Sequence, residues 1–193
     1  MKKLIIILPV VFVLVWALAA CATPPTEEMN KAQDAVTRAE NDADAVTYAG
    51  NTVAAARNSL SQMQDAADAK RYDSAKSFAQ EAVSNAEKAI ADGQAGAARA
   101  KDEASNLVNG LATPLAETSD TLDAAKKVQN TQLDYNTLDG EMDSARQTYA
   151  GAKQDLAADN YQNAETKGQD VRSQLSDINE KLNSAVQAAS RKK

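Results

Sequence analysis

Between Thr26 and Ala189, alanine recurs at steps of four and three residues with little that is bulky beside it. Ala32, Val36, Ala39, Ala43, Val46, Gly50 and Val53 form one such seam. That period marks one face of an α-helix against a partner helix. Side chains this small cannot fill a thick globular core, but they let helix axes approach to about 8 Å. Alanine also has the best intrinsic helix propensity. The expected fold is therefore all-α, built from long, closely packed helices.

The order of the helices follows from caps and breakers. Pro24 and Pro25 make a short extended spacer. Thr26 stands as an N-cap, with Glu27 and Glu28 in the first turn. No proline occurs from Thr26 to Thr113. A first helix is expected to reach about Ala69, roughly 65 Å at 1.5 Å per residue. A shorter step to Ala56 shifts its phase, and Leu60, Met63 and Ala67 continue it. Lys70 and Arg71 suit its negative end.

A second seam carries Tyr72, Ala75, Ala79, Ala82, Ala86, Ala89, Gly93, Ala97, Ala100, Ala104 and Leu107. Gly93 and Gly96 mark a place for a kink, each costing about 1 kcal/mol relative to alanine. Asn109-Gly110 reads as a stop, and Thr113-Pro114 as a cap followed by proline in the first helical position. A third helix carries Leu122, Ala125, Val128, Tyr135, Leu138, Met142, Ala145, Tyr149, Ala152 and Leu156. Asp159-Asn160 makes a turn, with Gln162 as reciprocal partner of a capping box at Asp159. The fourth seam is Tyr161, Ala164, Gly168, Val171, Leu175, Ile178, Leu182, Ala185 and Ala189. The expectation is four long antiparallel helices forming two related hairpins, residues 29–110 and 111–193, side by side in one elongated bundle. Sharing a core suits seams that each bury little area.

An internal repeat supports the two hairpins. Ala56-Arg57 precedes Tyr72-Asp73-Ser74-Ala75 as Ala145-Arg146 precedes Tyr161-Gln162-Asn163-Ala164, at a constant offset of 89 residues. Tyrosine covers the end of each hairpin, and alanine one turn later lets the helices close.

Several function classes are disfavoured. There is no histidine, which removes the commonest general base and transition-metal ligand. Cys21 is the one cysteine, so neither an internal disulfide nor a thiolate metal site is available. Asn41-Asp42-Ala43-Asp44 and the run from Asp134 to Asp143 are rich in oxygens. Neither has Ca²⁺-loop spacing, since Gly140 falls one place late for a loop begun at Asp134. No phosphate loop or Ser-x-x-Lys in a catalytic context is found, and the chain is read as no enzyme, with no metal. Tyr72, Tyr149 and Tyr161 read as packing residues near turns, whereas Tyr48 reads as a candidate exposed contact.

The first residues have a different character. Lys2 and Lys3 precede an uncharged apolar run from Leu4 to Leu18, which ends in Leu18-Ala19-Ala20-Cys21. Basic start, apolar middle and small residues at the cut make a secretory signal over residues 1–20. The run, about 15 residues, falls short of the roughly 20 that span a bilayer. Leu18-Ala19-Ala20-Cys21 resembles the lipobox of bacterial lipoproteins. That resemblance implies cleavage before Cys21, a diacylglycerol thioether on its sulfur and an acylated amine, with residues 21–28 as the lipidated start and spacer. Two or more chains are what stable anchoring requires. No other cofactor is implied. Ala22 follows the cysteine where many inner-membrane lipoproteins carry aspartate, so the resemblance favours the outer membrane, with the helices in the periplasm. Without Lys2 and Lys3 the chain keeps 19 basic against 27 acidic residues, a net charge of −8. That balance argues against nucleic acid and against electrostatic adhesion to anionic lipid.

Ala54, Ala56, Arg57, Leu60, Tyr72, Ala75, Ala79, Ala82 and Ala86 carry a second resemblance. They are similar to a helical domain of unknown function in envelope lipoproteins, sometimes placed ahead of an OmpA-like peptidoglycan-binding domain. The likeness spans about Met29 to Ala91, with a weaker copy from Ala116 to Ile178. No segment of this sequence reads as OmpA-like. Arg191-Lys192-Lys193 is similar to the end of the murein lipoprotein, whose terminal lysine is bonded to peptidoglycan; Ser190 replaces the family's tyrosine. The role expected is a non-catalytic envelope lipoprotein, a scaffold or adaptor for another envelope protein or for a second copy of itself. The alternatives are a membrane–peptidoglycan tether through Lys193, or a regulator of a cell-wall enzyme.

Overall fold

The computed structural model describes residues 23–128 and 133–190, and these are all-α, with seven helices among them. They are α1 (Thr26–Asn41), α2 (Ala43–Tyr48), α3 (Gly50–Asp68), α4 (Tyr72–Gly110), α5 (Ala112–Ala125), α6 (Tyr135–Ala157) and α7 (Tyr161–Ser190). The chain divides into two compact units between Gly96 and Ala97, inside α4.

In the first unit, the expected single helix from Thr26 to Ala69 is instead α1, α2 and α3. Asp42 leaves the helix at φ −81°, ψ 114°, and Ala49 leaves it at φ −128°, ψ 29°. The Asp42 carboxylate accepts the backbone N–H of Ala45 at 2.8 Å. A short side chain bonding its own backbone in this way competes with helix continuation. The chain doubles back there. Glu40 late in α1 meets Arg57 early in α3 at 2.5 Å, so α1 and α3 are antiparallel. Glu28 and Lys76, each near the start of its helix, meet at 2.9 Å, so α1 and α4 are parallel. The first unit is thus three packed helices with α2 as an elbow.

Its core is alanine. Of fourteen residues in the buried cluster, eleven are alanine, joined by Val36, Val53 and Met63. The exceptions to the straight seam are informative. Ala43, Val46 and Gly50 are exposed, while Ala45 and Ala49 are buried. Breaking the helix at Asp42 rotates the next turn and exchanges which residues face inward.

Gly93 and Gly96 do not break α4, which is helical throughout Tyr72–Gly110. A Cβ on Gly93 would lie 2.5 Å from the Ala45 nitrogen, and one on Gly96 would lie 2.5 Å from the Tyr48 Cβ. The glycines let the elbow lie directly on the helix backbone. Tyr48 is correspondingly half-buried on Gly96, which corrects its reading as an exposed contact.

In the second unit, Lys126 at the end of α5 meets Asp139 early in α6 at 2.7 Å, and α7 returns along both. The core here is bulkier: Leu111, Leu122, Leu138, Met142, Val171, Leu175, Ile178 and Leu182, with Ala125 and Ala145. Leu107 seats over Gly168, and Ala104 and Val108 from α4 pack with Ala152 and Ala164. Two boundaries differ from expectation. α5 begins at Ala112 with Leu111 as its N-cap in helical φ/ψ, so Pro114 sits in the third position. Its missing N–H still falls among the orphan donors of the first turn. The stop read at Asn109-Gly110 is where α4 ends, and Leu111, 3% exposed, is the single residue between it and α5. The expected third helix is also interrupted, after Ala125. Asp134 caps α6 by accepting the Thr137 N–H at 3.2 Å, and Val128 is exposed.

The repeat is present in the backbone. α3 ends at Asp68 and α6 at Ala157, while α4 starts at Tyr72 and α7 at Tyr161, all 89 residues apart. Lys70 and Asp159 take positive φ, 57° and 60°. Arg71 N–H donates to the Ala66 carbonyl at 2.8 Å and Lys70 N–H to Ala67 at 2.9 Å. Asn160 donates to Asp155 at 2.9 Å and Asp159 to Leu156 at 3.3 Å. Both are Schellman closures in which the left-handed residue follows the cap. At the second, the Asp159 carboxylate accepts from the Tyr161 hydroxyl at 2.6 Å, where the sequence suggests Gln162 as its partner.

Candidate functional site

The residues expected to carry the anchor, Leu18, Ala19, Ala20 and Cys21, lie outside the described residues, as does Lys193. The described chain starts two residues after Cys21 and becomes helical at once. The Pro24 carbonyl accepts the Thr26 N–H at 2.9 Å and the Pro25 carbonyl accepts that of Met29 at 3.0 Å. Pro25 is therefore the N-cap, and Thr26 the first helical residue. Any anchor on Cys21 would be separated from α1 by a few residues only.

The start of α1 is acidic but internally paired. Glu27 accepts from Lys31 at 2.7 Å, and Glu28 pairs with Lys76. The Lys76 ammonium holds the Glu28 carboxyl below the usual carboxylate range, and Glu28 in turn raises Lys76. Opposite charge within hydrogen-bond reach favours both charged forms.

Five of the other carboxylates singled out in the sequence, Asp42, Asp134, Asp139, Glu141 and Asp143, have structural partners. Asp42 caps α2. Asp134 caps α6 and takes the Thr137 hydroxyl at 2.7 Å; these bonds from Thr137 lower its pKa. Asp139 holds Lys126 and raises its pKa, Asp143 holds Arg146 at 2.9 Å, and Glu141 holds Lys181 at 2.5 Å. Among the described residues no group of three or more carboxylates is placed to hold a metal ion. No described helix is long and apolar enough to cross a membrane.

The outward-facing apolar residues concentrate where helices stop. Val46 in the elbow is 50% exposed, Val128 just after α5 is 42% exposed, and Val186 near the end of α7 is 41% exposed. Of the three, Val46 in the elbow is the most exposed. Val46 stands on α2 between Asp44 and Tyr48, whose hydroxyl pKa is raised by burial and then by the Asp44 charge. Sequence reasoning put Val46 in the seam. The signal that would have placed it outside is Asn41-Asp42, a residue pair that caps and turns as readily as it coordinates.

Among known proteins, residues 27–105 match the family model of a domain of unknown function, DUF4398. The match covers α1, α2, α3 and most of α4, the stretch that includes the resemblance to a domain of unknown function around Met29 to Ala91. No curated protein and no solved structure matches the chain.

Proposed function

We propose that this chain is a non-catalytic lipoprotein of the bacterial envelope. Lipid on Cys21 would hold it at a membrane, and its two helical units would offer surfaces to an envelope protein. The observation that carries the reading is Leu18-Ala19-Ala20-Cys21, standing directly after an uncharged apolar run with lysines at its front. The rapid start of α1 supports it, because a spacer of a few residues keeps the helical surfaces close to the anchor. Ala22 favours the outer membrane, with the helices facing the periplasm.

The test is the intact mass of the protein extracted from native membranes after muramidase digestion of the envelope. Expected is a chain starting at Cys21 that carries diacylglycerol and one further acyl chain. A Cys21 without lipid would overturn the anchor. Muropeptide mass on Lys193 would replace the scaffold reading by a membrane–peptidoglycan tether.

A further inference from the structure

We propose that the turn joining α3 to α4 is a cationic foot. It binds the phosphate groups of anionic phospholipids beside the anchor and so stands the first unit end-on on the membrane. The inference rests on the lipid reading of Cys21 and adds a second point of contact to it. The first observation is one of reach. Cys21 lies five positions before Thr26, so lipid on its sulfur keeps the start of α1 within about 20 Å of the bilayer. The ion pair of Glu28 with Lys76 sets the starts of α1 and α4 side by side. Helix rise carries Thr26 about 3 Å outward from Glu28, and Tyr72 about 6 Å outward from Lys76. The turn before Tyr72 therefore stands at least as far out on the anchored end as α1 does.

The second observation is the charge carried there. Lys31 and Lys76 are engaged by Glu27 and Glu28. Asp68 and Asp73 stand behind the turn, inside α3 and α4. Lys70 and Arg71 are exposed at its tip, and among the described residues no carboxylate forms an ion pair with either. The same Schellman closure recurs 89 residues later, with Asp159 in the left-handed place and Asn160 after it. Glycine, asparagine and aspartate are the residues that conformation favours, and lysine is not among them. The helix before that second turn ends with the same dipole as α3 and has no cation in its turn. Neither the closure nor the dipole thus calls for Lys70-Arg71. Tyr72 and Tyr161, which the two turns share, belong to the closure; what the anchored turn adds is charge. The chain as a whole is acidic and is not drawn to an anionic surface, so the pair selects the end that faces it.

The test uses the whole chain from Cys21, whose sole thiol takes a maleimide that carries a single acyl chain. One such chain binds only marginally, so a second contact shows in the partition. The vesicles are pure phosphatidylcholine, or equal parts phosphatidylcholine and phosphatidylglycerol, and bound protein is measured by sedimentation. Lys70→Asn with Arg71→Asn places in the turn a residue that its left-handed position favours. It is expected to weaken binding to the mixed vesicles about 25-fold, about fivefold for each cation near the surface. Arg38→Asn with Lys88→Asn removes the same charge away from the anchored end and is expected to change binding by about threefold at most, because salt screens distant charges. The difference between the two pairs should vanish on phosphatidylcholine and at high salt. Equal binding by both pairs on the mixed vesicles, or a difference that survives on phosphatidylcholine, would overturn the proposal. The attached chain stands in for native lipid. Failure in the partition therefore counts against the turn, whereas a native Cys21 without lipid counts against the anchor.

Discussion

Replacing Gly93 by alanine tests the tightest contact in the first unit. The added Cβ would lie 2.5 Å from the Ala45 nitrogen, 2.6 Å from its Cα and 2.6 Å from the Asp44 carbonyl carbon. All three are backbone atoms, so no side chain can rotate away. Ordinary carbon contacts need about 3.5 Å or more, and α2 must retreat from α4 by about 1 Å. Ala45 and Ala89, both fully buried, would lose their close neighbours. Overpacking of this kind costs about 1–3 kcal/mol, and with backbone on the receiving side the upper end applies. The better helix propensity of alanine offsets about 1 kcal/mol. The net is a loss of about 2 kcal/mol, on the order of 10 °C in the transition of a unit this size. Gly140 is the control, because it lies within α6 with no atom within 4 Å of its Cβ position. Gly140→Ala is expected to stabilise by up to about 1 kcal/mol. Urea melts followed by circular dichroism would give both values, with hydrogen exchange locating the loss in α1 and α2. If Gly93→Ala proves as benign as Gly140→Ala, the elbow does not rest on the α4 backbone and the packing described here is wrong.

Other expectations concern turns, buried polar pairs, core composition and pH. Lys70 holds a left-handed conformation that costs a side-chain-bearing residue about 1 kcal/mol or more, so Lys70→Gly should raise the melting temperature. Asp159→Gly should gain less, since it also removes the bond from the Tyr161 hydroxyl; equal gains would contradict that difference. Asn179 donates to the buried Thr118 hydroxyl at 2.8 Å. Thr118→Val alone should cost about 1–3 kcal/mol by stranding the amide, while Thr118→Val with Asn179→Leu should recover most of it in a double-mutant cycle. Calorimetry should resolve the alanine-cored unit melting below the leucine-cored one. Glu28 and Asp134 have lowered pKa values, so their contribution is complete above the usual carboxylate range and is lost as pH falls through about 4 and below. Tyr48, Lys76 and Lys126 are raised, and theirs is complete at neutral pH and lost as pH rises past about 10. A stability profile without loss at either end would refute these assignments.

Much of this fold is legible in the sequence, because helix, seam and hairpin closure are local properties. The alanine period gives the class, and the fourth seam, from Ala164 to Leu182, is buried residue for residue. The 89-residue repeat marks both Schellman turns. The elbow escapes such reasoning because a straight continuation satisfies the same period. The carboxylate–amide bond at Asp42 favours the break, and the return of α3 along α1 and the seating of Ala45 and Tyr48 on Gly93 and Gly96 reward it. Gly93 and Gly96 read as weaknesses for the same reason. Their partners, Ala45 and Tyr48, stand 48 residues earlier, and no local rule connects them. Asn109-Gly110 does end α4, but Leu111 is buried and keeps helical φ/ψ, so the next helix resumes after a single residue. Of the candidate site, the lipid-bearing cysteine is purely a sequence motif, whereas the exposed valine of the elbow is purely a product of the fold.

The alanine core of the first unit also has a thermal consequence. The heat capacity of unfolding scales with the apolar surface that becomes hydrated, and methyl groups release far less of it than leucine or isoleucine. The first unit should therefore have a flatter free-energy curve than the second, its stability varying less between cold and warm growth conditions. It should also respond differently to sequence drift. Eleven of its core positions are already the smallest side chain a helix favours, so cavity-forming changes are nearly exhausted there and enlargement is the damaging direction.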